Sequence, residues 1–407
     1  MAPNTDRFSS LPQSLLSTIV SLIPFKEAVR TSILSKSWID IFKSTSNIVF
    51  DEIYFVKSDQ ICEIQRAQRK AFLDFMMYWI SNHTETVIDK FSLKLSIPEN
   101  VKRVVRKCIT FATTHRVKAL NLDFCDPTLD SYFTTNYINH VALFELPAHV
   151  YGHTCLESLK LFSCNFVEAE FLNYNALKEI SLGWMEVKLS TIKTLLSNCE
   201  ALESLSLKRC WNSDEFDLGE VNLKLRKLVV DRCMFRSSST YFIVNAPNLK
   251  YFYYSGLNNN FLVIDVRSLV LEEEVLEFCI EFKGHALFLY KLEEHISGVN
   301  VLTVGNYFLQ GYESPDNLNM ERFWTDHARA YSCMVYTLRE VEIKGFKGLV
   351  NEIRALTYFI TNGRVLRKMT INISKDDTRQ ESYHHDMAEW LISTVQKAST
   401  ELEISIC

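Results

Sequence analysis

Side chains able to do chemistry are present in this chain, but they are spaced so that few of them could act together. His149, His153 and Cys155 have spacing that could hold a metal ion, yet no fourth ligand stands near them in sequence, as a closed tetrahedral site would need. His384 and His385 lie in a polar stretch and are expected to face solvent. The cysteines number 11, run from Cys62 to Cys407 and form no CxxC pair, so neither a dense disulfide framework nor a zinc ribbon is indicated, and buried reduced thiols fit better. No GxxxxGK[ST], GxGxxG, GxSxG or HExxH sequence occurs, so the common phosphate loops, nucleophile elbows and zinc helices are missing. No catalytic residue, metal site or cofactor is assigned on this basis. Lys102, Arg103, Arg106, Lys107, Arg116 and Lys118 accompany Val101, Val104, Val105, Cys108 and Ile109 at helical spacing, which predicts a helix with its charges in water.

The composition narrows the class. The chain has 407 residues, 47% of them hydrophobic and 23% charged, enough to fold and more than one small module. Lys and Arg number 44 against 49 acidic residues, a net charge of -5, which argues against a chain-wide footprint for nucleic acid. Gly is 11 and Pro is 8, too few for a loop-dominated or linker-rich architecture. The longest apolar run, Phe72 to Ile80, contains Asp74 and is too short to span a bilayer. Residues 11 to 25 have the length of a signal-peptide apolar region. Ser14, Ser17 and Ser21 nevertheless recur opposite Leu11, Leu15, Ile19, Leu22 and Ile23, so an amphipathic helix is expected instead. The expected compartment is cytoplasmic, nuclear or both, with no membrane partner.

Three short helices are expected in the first fifty residues. Pro12 suits a first helical turn, Pro24 stops the helix, a second helix runs from about Lys26 to Leu34, and a third lies around Trp38 to Phe42. So small a bundle has little core of its own. The spacing Ile61, Ile64, Ala67, Ala71, Phe75, Trp79 predicts a longer bridging helix.

Beyond it a fixed texture repeats: Leu156, Leu159, Leu161 with Cys164; Leu202, Leu205, Leu207 with Cys210; Leu225, Leu228, Val230 with Cys233. Weaker copies are Ile88, Phe91, Leu93; Val117, Leu120, Leu122 with Cys125; Leu177, Ile180, Leu182; Leu249, Phe252, Tyr254; Val266, Leu269, Leu271; and Val299, Leu302, Val304. A period of about 20–29 residues with apolar positions at i, i+3 and i+5 is the mark of leucine-rich repeats, each a strand and a return segment stacked into a curved solenoid. Leu338, Val341, Ile343 and Leu366, Met369, Ile371 continue the spacing. Helices are expected at about 351–361 and 386–397, with a last strand in ELEISI, as a cap over the end of the array.

Two stretches carry a family resemblance. DRFSSLPQSLLSTIVSLIPFKEAVRTSILSKSW, residues 6 to 38, looks like an F-box, although Ser37 and Phe8 depart from the usual residues. TLREVEIKGFKGLVNEIRALTYFITNGRVLRKMTINIS, residues 337 to 374, completes a chain that resembles the plant F-box, leucine-rich-repeat and FBD proteins. The fold class implied is α/β: a three-helix F-box at 1–50, a linking helical segment at 51–87, a leucine-rich-repeat solenoid with a mainly parallel sheet at 88–330, and an FBD-like C-terminal domain at 331–407. The resemblance implies a non-catalytic substrate-recognition subunit of an SCF-type cullin–RING ubiquitin ligase. Its F-box would dock on a Skp-type adaptor, and its repeats would hold an unknown protein substrate. Carried over residue by residue, the adaptor-facing or supporting set is Leu11, Pro12, Leu15, Ile19, Leu22, Ile33, Leu34 and Trp38. The alternative is a leucine-rich-repeat scaffold or small-molecule sensor that no longer engages a ligase.

Strand geometry supplies a substrate face. Residues between the leucines point away from the solenoid core, onto its concave side. Those singled out there are Lys160, Phe162, Lys208, Lys227, Tyr251 and Tyr253, with Trp184, Arg209 and Arg232 just beyond the strands. Their basic and aromatic character is expected to suit an acidic or phosphorylated ligand.

Overall fold

The structure, a computed structural model, describes residues 11–23, 25–31, 33, 36–84, 87–126, 143–165, 174–212, 217–220, 224–235, 241–256, 263–268, 270–278, 298–306, 309, 332–375 and 380–407. The chain divides into two compact units, Met1–Met185 and Glu186–Cys407.

The first unit begins with helices α1 (Gln13–Leu22), α2 (Phe25–Thr31) and α3 (Lys36–Lys43). Strand β1 (Asn47–Asp51), helix α4 (Cys62–Asn82), β2 (Lys90–Lys94), α5 (Lys102–Thr114) and β3 (Ala119–Asp123) follow. Next come β4 (Phe144–Glu145), β5 (Ser158–Phe162), β6 (Cys164–Asn165) and β7 (Glu179–Gly183). Strands β1, β2, β3, β5 and β7 pair in that order, every pair parallel. Parallel neighbours need a crossover, which α4 and α5 provide at the start. The register stacks Ile48, Phe91, Leu120, Leu159 and Ile180 in one row and Phe50, Leu93, Leu122, Leu161 and Leu182 in the next, all buried. Each such side chain stabilises the fold by about 1.5–3 kcal/mol relative to exposure, so the rows hold the unit together. The bridging helix starts and stops within three residues of the expected span. Strand β1, hidden at the end of the F-box stretch, is an element the sequence reading lacked.

The N-terminal bundle does not close on itself. Phe25 and Phe42 pack on Trp79 of α4, with ring centroids 5.8 and 5.9 Å away, and Phe50 of β1 meets Phe25 and Trp79 at 5.5 and 5.8 Å. The scarce core of the three helices is therefore completed by the bridging helix and the first strand. Glu52, just after β1, adds a polar tie: its carboxylate accepts from the Ser96 N–H at 2.8 Å and pairs with Arg69 of α4 at 3.4 Å.

The second unit contains α6 (Leu189–Asn198), β8 (Ser204–Lys208), β9 (Trp211–Asn212), β10 (Asp217–Glu220), β11 (Lys227–Asp231), β12 (Met234–Phe235) and β13 (Tyr241–Asn245). It continues with β14 (Tyr251–Gly256), β15 (Val263–Arg267), β16 (Glu273–Phe278), β17 (Val301–Gly305), α7 (Ser332–Tyr336) and β18 (Glu340–Phe346). Helix α8 (Val350–Asn362), β19 (Lys368–Ile373), α9 (Glu381–Thr394) and β20 (Glu403–Ile406) end it. Strands β8, β11, β14, β16, β17, β18, β19 and β20 pair in that order, all parallel. A smaller parallel sheet joins β10, β13 and β15.

One repeat is corrected here. Val266 lies in β15, on the small sheet, and the strand of the main ladder is β16, with Leu271, Glu274 and Leu276 at the three repeat positions. A glutamate at the middle position broke the apolar pattern and moved the expected strand to the nearest aliphatic run. Leu269 lies outside the described residues. Helix α9 begins at Glu381, five residues before the expected start, and this earlier start puts His384 on the buried face with Ala388 and Leu391. His385 is exposed as expected; His384 is not.

Candidate functional site

Helix α1 has two apolar faces, and only one is used. Leu16 and Val20, one turn apart, are buried in the bundle. Leu15, Ile19 and Leu22, spaced i, i+4 and i+7, are 52%, 37% and 80% exposed. Pro12 stands just before the helix, exposed, with its carbonyl accepting the N–H groups of Leu15 and Leu16 at 3.0 and 3.1 Å. Leu11 is half-buried. Ile33, just after α2, is 83% exposed, and its N–H closes the helix on the Arg30 carbonyl at 3.2 Å. Trp38 is buried, and Leu34 lies outside the described residues.

On the sheet face the odd and even positions separate as the strand period requires, with burial alternating along β5, β8 and β11. In the first unit, Lys160 is matched by Glu179 at 2.8 Å, and Phe162 is half-buried on the same face. In the second unit, Lys208 and Lys227 are exposed. The Lys227 ammonium sits 4.6 Å from the Tyr251 ring centroid, a cation–π contact. The Tyr253 hydroxyl donates to Glu277 at 2.9 Å, and Glu277 also pairs with Lys344 at 2.6 Å. Burial and the neighbouring Glu277 hold the Tyr253 phenol above its ordinary range. Glu342 accepts from Asn372 at 2.6 Å. Carboxylates thus accompany the lysines and tyrosines across this face, a feature hidden while the strand at Glu273–Phe278 was misplaced.

The residues just past the strands do something else. Ser163, Trp184, Arg209 and Arg232 all have positive φ, between 48° and 54°, immediately after β5, β7, β8 and β11. The Ser163 N–H donates to the Gly183 carbonyl at 2.9 Å and the Arg209 N–H to the Asp231 carbonyl at 2.7 Å, so the turn extends the ladder by one bond per repeat. Trp184 and Arg209 are buried at 7% exposure, and Arg232 pairs with Asp231 at 3.4 Å. The next residue in each turn, Cys164, Met185, Cys210 or Cys233, is buried. The Cys164, Cys210 and Cys233 thiols donate to strand carbonyls at 3.4–3.8 Å, and burial pushes the Cys164 and Cys233 thiols well above the ordinary range. These buried cysteines anchor the turns.

His149, His153 and Cys155 do not converge. The His153 Nε2 bonds the Thr113 carbonyl at 2.8 Å, His149 lies 3.5 Å from the Thr110 hydroxyl, and Cys155 meets the Arg116 guanidinium at 3.7 Å. Lys102, Arg103, Arg106 and Lys107 share an open surface groove of about 500 Å³, where Lys102 pairs with Glu99 and Arg106 with Glu145. Among the described residues no helix is long and apolar enough to cross a membrane.

Beside the exposed apolar row on a three-helix module and the parallel strand ladders that turn left-handed after β5, β7, β8 and β11, the sequence itself matches three family profiles. They are the F-box domain over 8–50, the profile described as "FBD-associated F-box protein At5g56370, LRR repeats" over 112–267, and FBD over 331–371. The putative F-box/LRR-repeat protein At1g56400 of Arabidopsis thaliana is 32% identical over 87% of this chain and 74% of its own length. The chain belongs to the plant F-box, leucine-rich-repeat and FBD family. The putative F-box protein At3g29830 of the same plant is 35% identical over 69% of this chain and 58% of its own length. The putative F-box/FBD/LRR-repeat protein At2g05300, also of Arabidopsis thaliana, is 25% identical over 98% of this chain and 97% of its own length. For this F-box/LRR/FBD chain, the domain make-up points in general to the role of a substrate receptor in an SCF complex.

Proposed function

We propose that the chain is a non-catalytic substrate-recognition subunit of an SCF-type cullin–RING ubiquitin ligase. The F-box docks on a Skp-type adaptor, and the sheet face binds a target protein for ubiquitination. The observation that carries this reading is the row of Leu15, Ile19 and Leu22 with Ile33, left exposed although the bundle core is filled by Leu16, Val20, Phe25 and Trp38. Large aliphatic side chains lined up on one helix face and unused by the fold mark an interaction surface. The mechanism is proximity: the adaptor fixes one end, the repeats hold the substrate, and its lysines are presented to the charged E2 without any bond chemistry in this chain. The cytoplasm and nucleus are where such a complex would act.

Co-expression of the full chain with a Skp-type adaptor, followed by affinity capture, tests the reading. Leu22→Lys should abolish stoichiometric capture while the melting temperature stays unchanged. Equal capture of the variant would refute docking through this row.

A further inference from the structure

A second unused apolar surface lies in the C-terminal part of the second unit. Helix α9 buries His384, Ala388 and Leu391, and it leaves Tyr383 and Trp390 at 59% and 54% exposure, with Met387 between them at i+4 and i+7 spacing. Gly348 has φ of +72°, and a Cβ built there would lie 3.3 Å from the Met387 Cβ, so glycine lets the loop before α8 pass directly against the stripe. The two residues that follow, Leu349 and Val350, are 43% and 61% exposed. Large aromatic and aliphatic side chains gathered in this way are the kind that anchor protein interfaces.

Charge narrows the partner. From Glu381 to Gln396 the chain has three carboxylates, Glu381, Asp386 and Glu389, and no lysine or arginine. Asp386, three residues after Tyr383 and four before Trp390, neighbours both on the helix surface. The ligand atoms of His385, Asp386 and Glu389 lie within 4.8 Å of one another, all exposed. Complementary charge at an interface rim sets partner choice and on-rate.

We infer that the face made by Tyr383, Met387 and Trp390 with Leu349 and Val350 docks a segment of another protein that carries an apolar anchor flanked by lysine or arginine. The inference is independent of adaptor docking through the F-box. The probe is a pair of fluorescent synthetic peptides of identical leucine spacing, one with lysines between the leucines and one with glutamates, titrated into the full chain and followed by anisotropy. The lysine peptide should bind saturably and the glutamate peptide should not. Trp390→Ala, which leaves the charge unchanged, should weaken the lysine peptide at least tenfold, and Asp386→Lys should do the same with the apolar stripe intact. Each variant should keep the wild-type melting temperature and adaptor capture. Equal binding of both peptides, binding unchanged by Trp390→Ala, or a wild-type dimer in sedimentation that Trp390→Ala dissociates would overturn the inference.

Discussion

Phe25 of α2 and Trp79 of α4 meet edge to face, with centroids 5.8 Å apart and planes at 75°. The contact belongs to a continuous aromatic seam: Trp79 also reaches Phe42, Phe50 and Phe111. A module too small to hold itself together is seated by this seam on the bridging helix and first strand, which fixes the exposed row of Leu15, Ile19 and Leu22 relative to the start of the repeats.

Truncating the seam should therefore loosen the N-terminal helices first. Trp79→Ala is expected to cost about 3–5 kcal/mol, the range for removing a large buried aromatic. Proteolysis should then cleave within α1–α3 before the repeats are attacked. Timed limited proteolysis followed by mass analysis of the fragments checks this, and simultaneous cleavage of the repeats and the bundle would show that the seam is not their link.

Glu274 makes stability depend on pH. It is 2% exposed on the core side of β16, its Oε2 has no partner, and burial raises its pKa from 4.5 to about 8. Between those values the folded chain keeps a proton that the unfolded chain has released, so stability falls as pH rises through that window. Glu274→Leu should stabilise the chain by about 1–3 kcal/mol at pH 8, the cost of an unpaired buried polar group, and by less at pH 5. Denaturation midpoints of both proteins at the two pH values test it, and a pH-independent difference would contradict the assignment.

Cys155 is the thiol to watch. The Arg116 guanidinium draws its pKa below the ordinary value, whereas burial pushes Cys108 up to about 12. A disulfide reagent should modify Cys155 at a pH where Cys108, Cys164, Cys210 and Cys233 stay untouched. Arg116→Gln should shift its rate profile to higher pH. Peptide mapping after timed labelling reads both effects, and early labelling of Cys164 or Cys233 would count against buried turn anchors.

Much of the fold was legible because LxxLxL spacing and strand alternation report the same buried rows. Leu205, Leu228 and Phe252 stand at one register in consecutive strands, as their spacing requires, and Leu302 resumes the row one strand beyond Glu274. The ladder was misread where a residue type contradicted its position: Glu274 occupies a leucine place, and Val266 looked like a better one. Helical periodicity showed the apolar row of α1, Leu15, Ile19 and Leu22, but not that the serine side, with Leu16 and Val20, would be the buried one, because that depends on what α3 and β1 bring against it. Trp184 and Arg209 were misjudged because exposure beyond a strand depends on backbone hand, and a positive φ at a non-glycine residue leaves no mark in composition. The expectation of a basic ligand face passed over Glu277 and Glu342 for a related reason, since the pairing of strands distant in sequence sets which charges become neighbours.

The central claim is that Leu15, Ile19 and Leu22 form an adaptor-docking row and not part of the core. Its most direct test is isothermal titration of a Skp-type adaptor into the folded full-length chain and into Leu15→Asp and Leu16→Asp variants. The account predicts that Leu15→Asp melts like the wild type and binds at least a hundredfold more weakly, whereas Leu16→Asp unfolds the bundle. Wild-type affinity in a folded Leu15→Asp chain would contradict it.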